Sequence, residues 1–277
     1  MRIAGLAVWD FLRELYTAVT EDNVFNGAAA LAFYLTFALF PALVALMSVI
    51  PYLPVAEVDD AIMDVIGQAL PDEAAILVAG IVADVTSEDR GGLLSLGLVV
   101  TLWVASTGMY AIMQQLNITY GVREKRSFLR ARATALVLSL LFGVLVIGSF
   151  TLVVLGGVIE TWLASQLGYP DLLVSVFAVL RWILVVVATM LGIAFVYRFA
   201  PNVREPLRYI WPGSIFATIH LIVASLGFSI YIGNFTDYSA TYGSIGAVIV
   251  LMLWLYIAGL VILVGSEINA ILETRSR

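Results

Sequence analysis

The chain has 277 residues and a formal net charge of −6, with 62% hydrophobic and 12% charged residues. Soluble domains average about 45–50% apolar and about 25% charged residues, so this composition excludes an ordinary soluble domain. The chain has no cysteine and a single histidine, which excludes a disulfide framework, a thiolate metal site and a histidine cluster.

The first segment, residues 1–22, is predicted to hold a helix that lies in the membrane interface. Between Leu6 and Val19, polar residues are spaced to share one helical face and large apolar residues to share another. The polar face consists of Asp10, Arg13, Glu14 and Thr17, and the apolar face of Trp9, Leu12, Tyr16 and Val19. Amphipathic helices of this kind lie flat in the headgroup region.

Six long apolar runs follow, and each is predicted to cross a bilayer as an α-helix. A helix needs about 20 apolar residues to span roughly 30 Å of hydrocarbon, and it satisfies its own backbone hydrogen bonds in lipid. The predicted spans are residues 23–54, 91–116, 133–159, 172–199, 210–235 and 243–269. The predicted fold class is therefore an all-α integral membrane protein with six transmembrane helices.

Three connecting segments differ in composition. Residues 55–90 are acidic and show helical apolar spacing interrupted at Pro71, so they are predicted to form an outer amphipathic helical pair, with a re-entrant segment as the alternative. Residues 117–132 form a basic loop, and residues 270–277 form a short tail. The basic loop contains Arg123, Lys125, Arg126, Arg130 and Arg132. These side chains are candidates for holding anionic lipid headgroups, and a plain topology signal explains them equally well.

Basic residues also set the predicted orientation of the chain. With the N-terminus inside, 12 of the 14 lysines and arginines fall on the inner side, and one, Arg90, falls outside. The positive-inside rule therefore places both termini in the cytoplasm.

Arg181 is the strongest candidate for a functional residue, because it lies inside the fourth predicted span. It follows Leu172 by nine residues, which places it roughly 14 Å into the span. A charge near the bilayer centre costs about 2.5–3.5 kcal/mol on insertion scales, so such a residue normally faces the bundle or a wet cavity. Two interpretations stay open: a counter-charge for an anionic substrate or gating pair, and a structural arginine bonded to backbone carbonyls or reaching outwards.

Five other residues are weaker candidates for substrate binding or transport. His220 lies at a similar depth in the fifth span, where it could relay protons or bond a neighbouring helix. Glu267 lies near the inner end of the sixth span, and Asn269 follows two residues later. Glu267 could have a structural role or a role in transport. Pro41 interrupts the first span near Tyr34, as a hinge, a binding kink or a fixed kink.

Small residues predict where helices approach one another closely. Pairs at four-residue spacing are Ala28 and Ala32, Ala188 and Gly192, and Gly213 and Ala217. Pro212 and Gly213 are predicted to open the fifth span, where a proline costs little.

A set of short motifs, distributed over nearly the whole chain, carries a family resemblance. In chain order these are Ala29–Tyr34, Phe40–Pro41, Trp103–Ser106, Asn117, Tyr120–Val122, Arg181–Trp182, Tyr197, Pro201–Asn202, Pro212–Gly213, Tyr231, Asn234–Phe235, Tyr238, Ala240–Ser244, Gly246–Val250, Trp254–Tyr256 and Glu267–Asn269. With them the sequence resembles the YihY/BrkB family of bacterial inner-membrane proteins. Arg181 and Glu267 both fall on the family pattern.

The resemblance implies a six-span protein of the bacterial inner membrane, from a family suspected of transporting envelope lipids or other amphiphiles. Some members are linked to resistance to host killing. The family has also carried the label of a tRNA-processing ribonuclease, and the residues argue against that activity. Metal-dependent nucleases need clustered His, Asp or Glu ligands, which one histidine inside a membrane span does not supply.

Two functional hypotheses follow. The first is a transporter or flippase for an anionic lipid or other amphiphile of the cell envelope. The alternative is a non-transporting scaffold or regulator of envelope assembly that uses the outer acidic helices as a docking surface for an envelope protein. Both expect membrane lipids as partners and no cofactor, metal, catalytic residue or nucleic-acid partner, and both leave the oligomeric state open.

Overall fold

The computed structural model describes residues 2–3, 6–47, 91–167, 171–203, 207–233 and 237–275. The predicted outer helical pair in residues 55–90 lies outside these ranges. The described elements are β1 (Arg2–Ile3), β2 (Leu6–Ala7), α1 (Val8–Glu21), α2 (Val24–Met47), α3 (Gly91–Thr119), α4 (Phe128–Leu167), α5 (Asp171–Phe199), α6 (Leu207–Gly233) and α7 (Asp237–Thr274).

The N-terminal segment differs in detail from its prediction. Strands β1 and β2 pair antiparallel, so Leu6 belongs to a short hairpin and the helix α1 begins at Val8. On α1 the side chains of Trp9 and Tyr16 are 77% and 71% exposed, while Phe11 and Val19 are buried. Val19 therefore lies on the packed face of the helix and not with the exposed aromatic residues, because α1 buries one apolar face against the rest of the protein.

Helices α3 to α7 each extend beyond the predicted span at one end or both. Helix α4 has 40 residues, which corresponds to roughly 60 Å at about 1.5 Å per residue and exceeds the hydrocarbon thickness of a bilayer. It begins at Phe128, so Arg130 and Arg132 lie on its first turns and not in the predicted basic loop. Charged residues mark where a helix leaves the hydrocarbon, and they do not mark where it ends.

Two prolines lie within helices. Helix α2 is continuous through Pro41 as far as Met47, so the first predicted span is not broken there. Pro212 was predicted to open its helix, and that expectation is wrong, because α6 begins earlier, at Leu207. Pro212 therefore lies inside α6, where it lacks the N–H that a helix interior normally uses.

Helices α2 to α7 form a closed ring in chain order. Each helix packs against the next one along the chain, and α7 returns to pack against α2. Helix α7 also contacts α3, and α1 lies against α7 and α2. Helix α7 therefore contacts α1 and α2 from the beginning of the chain as well as α3.

Buried side chains gather at the end of the ring that is predicted to be the inner one. One cluster contains Met113, Leu116, Ala135, Ile193 and Tyr197, from α3, α4 and α5. A second contains Val24, Ala28, Leu31 and Leu263, from α2 and α7. In both clusters, the residues come from helix segments that adjoin the predicted inner loops.

Large apolar side chains elsewhere on the described helices are exposed. On α5 and α6, Val179, Leu180, Val223, Leu226 and Ile230 are 50–68% exposed. Among the residues that the structure describes, four stretches are long and apolar enough to cross a membrane, and Val24–Ala38 is a shorter apolar helix. The four stretches are Phe128–Leu145, Ser175–Phe199, Tyr209–Tyr231 and Val248–Thr274. Several apolar helices with exposed apolar sides are what a lipid environment requires.

Candidate functional site

A buried carboxyl group lies where α3 and α7 meet. The side chain of Glu267 is 1% exposed, and its Oε1 accepts a hydrogen bond of 2.6 Å from the Thr119 hydroxyl. Thr119 is the last residue of α3, and Gly121 follows with a φ of +61°, a left-handed conformation that favours glycine and commonly ends helices. The end of α3 therefore presents the hydroxyl group that accommodates this acid inside the bundle.

Helices α6 and α7 meet at backbone distance just beside Glu267. A Cβ on Gly213 would lie 2.0 Å from the Gly265 carbonyl oxygen, so a larger residue does not fit there. The Gly213 N–H, next to Pro212, donates to Asn269 Oδ1 at 2.7 Å. Asn269 thus bonds a backbone group of α6 in the turn that the proline disturbs. The close contact predicted for Gly213 and Ala217 is confirmed, since Ala217 also lies against Gly265.

The turn between α1 and α2 joins the same region. Asn23 has a φ of +56°, which asparagine adopts more readily than most residues, and it lets the chain reverse after α1. The Gln115 side chain on α3 donates to the carbonyl oxygen of Asp22 at 2.7 Å. Burial, together with the neighbouring Glu21 charge, raises the pKa of Asp22. We call the set Asp22, Gln115, Thr119, Gly213, Glu267 and Asn269 the polar junction.

The loop after α3 is fixed to the end of α5 by a second group of polar contacts, here called the loop clamp. Arg126 Nε donates to Glu124 Oε1 at 2.9 Å, and Asn117 Nδ2 donates to Glu124 Oε2 at 3.1 Å. Arg126 Nη2 also donates to the carbonyl oxygen of Ala200 at 2.6 Å. Burial alone would raise the pKa of Glu124, but the hydrogen bonds and the charge of Arg126 outweigh it and lower that pKa.

Arg132 lies in an aromatic cage between α3 and α4. Its guanidinium carbon is 4.9 Å from the ring centroid of Tyr110, 5.4 Å from that of Trp103 and 5.7 Å from that of Phe128. Its Nη1 donates to the Thr107 hydroxyl at 3.1 Å. Cation–π contacts of this kind are attractive. Because Arg132 is on α4 and the Trp103 and Tyr110 rings are on α3, these contacts join the two helices.

The other predicted headgroup residues separate into different environments. Arg123, Lys125 and Arg130 are exposed, whereas Arg126 is half-buried in the loop clamp. The backbone carbonyl of Arg123 accepts a hydrogen bond of 3.0 Å from the Asn202 side chain. The five basic residues therefore do not form one uniform surface.

Arg181, the candidate predicted to lie deep in the membrane, is distant from the polar junction. Arg181 is half-buried on α5, with its guanidinium carbon 5.7 Å from the ring centroid of Trp182. It precedes Tyr197, which packs beside the junction, by 16 residues or roughly 24 Å of helix. The structure thus separates Arg181 from Glu267 and Asn269.

His220 and Tyr34 also have environments of their own. His220 is exposed, stacks on Phe216 at 3.8 Å between ring centroids, and donates from Nδ1 to the Phe216 carbonyl oxygen at 2.8 Å. Tyr34 is half-buried beside Gly108 of α3 and meets Phe33 edge to face at 5.6 Å. Pro41 lies in the helical backbone of α2.

Most partners in these groups are not evident from the sequence. Gln115, Asn117 and Thr119 interrupt the apolar sequence at the end of α3, and that polar run was the available signal. Their partners lie far along the chain: Glu267 is 148 positions after Thr119, and Asn202 is 85 positions after Asn117. A single sequence does not show such pairs.

The apolar helices with exposed apolar sides, the buried polar junction and the closed ring define a multi-pass α-helical membrane protein. The family model described as "Virulence factor BrkB" matches residues 15–277. The chain therefore belongs to the BrkB family, as its motifs indicated.

Relatives agree with this class. A Bacillus subtilis (strain 168) protein, YfkH, whose name describes it as ribonuclease-like, is 39% identical over 267 residues, covering 96% of each chain. A UPF0761 membrane protein of Albidiferax ferrireducens is 26% identical over 271 residues, covering 95% of this chain and 61% of the relative. One from Xanthomonas oryzae pv. oryzae (strain PXO99A) is also 26% identical, covering 93% and 59%.

The chain spans about three fifths of these two UPF0761 proteins. No solved structure matches the protein significantly. Within the described ranges, no group of three or more His, Asp or Glu side chains is placed to hold a metal ion.

Proposed function

We propose that the protein moves an anionic lipid or similar amphiphile across the bacterial inner membrane. Arg181 carries this proposal. Its neighbours on α5, Leu180, Trp182 and Ile183, are apolar and 50–52% exposed, so this stretch of helix faces outward where a bilayer would lie. A guanidinium is a strong hydrogen-bond donor to anionic groups, and charged residues within membrane spans commonly mark substrate pathways.

The depth of Arg181 fits a role in moving a headgroup. Arg181 lies ten residues from the start of α5, or roughly 15 Å along the helix. An anionic headgroup that crosses the hydrocarbon must shed water, and a half-buried arginine offers it a paired state part of the way across. Arginine binds phosphate and carboxylate through two parallel N–H groups, which suits such headgroups.

The orientation that goes with this proposal has six spans and both termini in the cytoplasm. Its support is the distribution of basic residues, because the loop clamp and the basic first turn of α4 belong to the same predicted inner side. With that orientation, Arg198 lies at the inner end of α5 and Arg181 lies closer to its outer end.

Enzymatic activity is not part of the proposal. The ribonuclease-like name of the Bacillus relative raises nuclease activity as a competing hypothesis for this chain. Metal-dependent nucleases use clustered His, Asp or Glu ligands, and the whole chain has one histidine and no cysteine. A non-transporting scaffold that docks partners on residues 55–90 remains the alternative, and the experiment below separates it from transport.

The test is lipid movement in proteoliposomes that contain the purified chain, wild type beside Arg181→Ala and Arg181→Lys. Removing a charged hydrogen-bond donor costs about 1.5–3 kcal/mol, so Arg181→Ala should slow movement of a fluorescent phosphatidylglycerol by roughly tenfold or more. Arg181→Lys should retain part of the rate. Arg13→Ala, which removes an exposed arginine on α1, is the matched control and should move lipid like the wild type.

Native mass spectrometry of the same preparations gives a second readout. Wild type should retain an anionic lipid that folded Arg181→Ala loses. If proteoliposomes with the wild-type protein move lipid no faster than protein-free liposomes, the result contradicts transport and favours the scaffold hypothesis. Equal rates for wild type and Arg181→Ala would remove Arg181 from the mechanism.

A further inference from the structure

A cleft of about 430 Å³ lies between the loop after α3 and the end of α5, separate from Arg181. Its lining residues are Arg126, Arg198, Phe199, Pro201, Asn202 and Val203. Arg198 follows Arg181 by 17 residues, or roughly 25 Å along α5. The cleft therefore lies at the opposite end of the helix from the residue that carries the proposed transport.

The walls of the cleft are held by bonds between segments that are distant in sequence. Arg126 Nη2 donates to the Ala200 carbonyl oxygen at 2.6 Å, and the Asn202 backbone N–H donates to Asn117 Oδ1 at 2.6 Å. The Asn202 side chain donates to the Arg123 carbonyl oxygen at 3.0 Å. Both walls are thus connected before any ligand arrives, which reduces the entropy that binding must remove.

The two arginines of the cleft differ in how they are held. Arg126 is fixed by Glu124, whose two oxygens are already used by Arg126 and Asn117. Arg198 is half-buried and forms no hydrogen bond or ion pair with any residue that the structure describes, and its guanidinium carbon lies 6.0 Å from the Phe199 ring centroid. Two guanidinium groups against one occupied carboxylate leave the cleft with a net positive charge.

We propose that this cleft binds the phosphate group of an anionic ligand, with Arg198 as the principal contact and Arg126 as a fixed second cation. Arginine pairs with phosphate through two parallel N–H···O bonds, and such charged hydrogen bonds are stronger than neutral ones. The apolar rim, in which the Phe199 side chain is 51% exposed, suits the glycerol and acyl part of a lipid. The same chemistry also accepts free phosphate. The site stands without the transport proposal, because binding alone defines it.

The experiment measures binding to the purified full-length chain in a zwitterionic detergent. Three probes are titrated: dihexanoyl phosphatidic acid, inorganic phosphate, and dihexanoyl phosphatidylcholine as the zwitterionic comparison. Arg198→Gln should weaken binding of the phosphatidic acid by about tenfold, the usual effect of losing a charged hydrogen-bond donor. The control, Arg13→Gln, removes an exposed arginine on α1 outside the cleft and should change binding by no more than about twofold.

Arg198→Gln should unfold at the wild-type temperature without ligand, because the Arg198 side chain forms no hydrogen bond or ion pair with a described residue. Tight binding of phosphatidic acid with weak competition by inorganic phosphate assigns the cleft to a lipid headgroup. Equal competition by inorganic phosphate assigns it to free phosphate. Equal weakening in Arg198→Gln and Arg13→Gln, or equal binding of phosphatidylcholine and phosphatidic acid, would overturn the site. Specific binding without lipid movement would contradict the transport proposal alone.

Discussion

Glu267 illustrates how one buried acid is accommodated at the scale of a residue. Its carboxyl group has one described hydrogen-bond donor, the Thr119 hydroxyl, and the pair connects the end of α3 to α7. A buried acceptor that loses its donor retains the desolvation cost without the compensating bond. The stability of this end of the protein should therefore depend on the hydroxyl group and not on the size of residue 119.

Thr119→Val is expected to lower the free energy of unfolding by about 1–3 kcal/mol, because it removes the hydroxyl at nearly constant volume. Thr119→Ser retains the donor and should cost about 1 kcal/mol or less, for the lost methyl group. Thermal unfolding in detergent, followed by tryptophan fluorescence at neutral pH, measures both variants. Equal stability of Thr119→Val and Thr119→Ser would show that the bond contributes nothing.

At the scale of elements, α6 and α7 depend on two glycines that allow backbone contact. A Cβ on Gly265 would lie 2.4 Å from the Tyr197 hydroxyl oxygen and 2.8 Å from the Gly213 carbonyl oxygen. Tyr197 also donates to the Ile262 carbonyl oxygen of α7, so α5 joins the same contact. Three helices of the ring are thus positioned by small residues and one buried tyrosine.

Gly213→Ala is expected to destabilise the protein by about 1–3 kcal/mol or more, because overpacking forces α6 away from α7. Gly227→Ala is the matched control on the same helix, since a Cβ there meets nothing within 4 Å. That control should be neutral or more stable by up to about 1 kcal/mol, because alanine favours helices over glycine. Thermal unfolding of the two variants and the wild type measures both effects. An unchanged unfolding temperature for Gly213→Ala would mean that the two helices can move apart without loss of stability.

At the scale of the whole molecule, the described helices follow one another around the ring, and α7 closes it against α2. Helix α1 is also joined to the end of α7, because the guanidinium of Arg275, the residue after α7, pairs with Glu14 of α1 at 2.9 Å. Both described ends of the chain therefore lie on one side of the bundle. Together with the positive-inside distribution, this supports the prediction that both termini are cytoplasmic.

The native chain contains no cysteine, so single introduced cysteines report the topology without background. A membrane-impermeant maleimide added to intact spheroplasts should label Ser87→Cys, which lies in the predicted outer segment. It should label Thr20→Cys and Thr274→Cys, both exposed in the structure, only after the membrane is permeabilised. Labelling of Thr20→Cys from outside would reverse the predicted orientation.

Much of the architecture could be predicted because it depends on local composition. Apolar runs longer than about 20 residues have few stable environments except lipid, so their membrane character does not depend on their neighbours. The amphipathic character of α1 also followed from residue spacing alone. The ends of the helices could not be predicted in this way. Charged residues mark the edge of the hydrocarbon, but α4 continues past that edge and runs from Phe128 to Leu167.

The sequence by itself determined that this protein is built from apolar helices for a membrane, because hydrophobic transfer depends on each segment's own side chains. The tertiary structure decided which polar groups meet. It brought Thr119 to Glu267, Asn269 to the backbone of Gly213, and Arg126 and Arg198 to one cleft. Hydrogen bonds and close helix contacts act over a few ångströms between residues far apart in the chain, so they exist only once the ring of helices has closed.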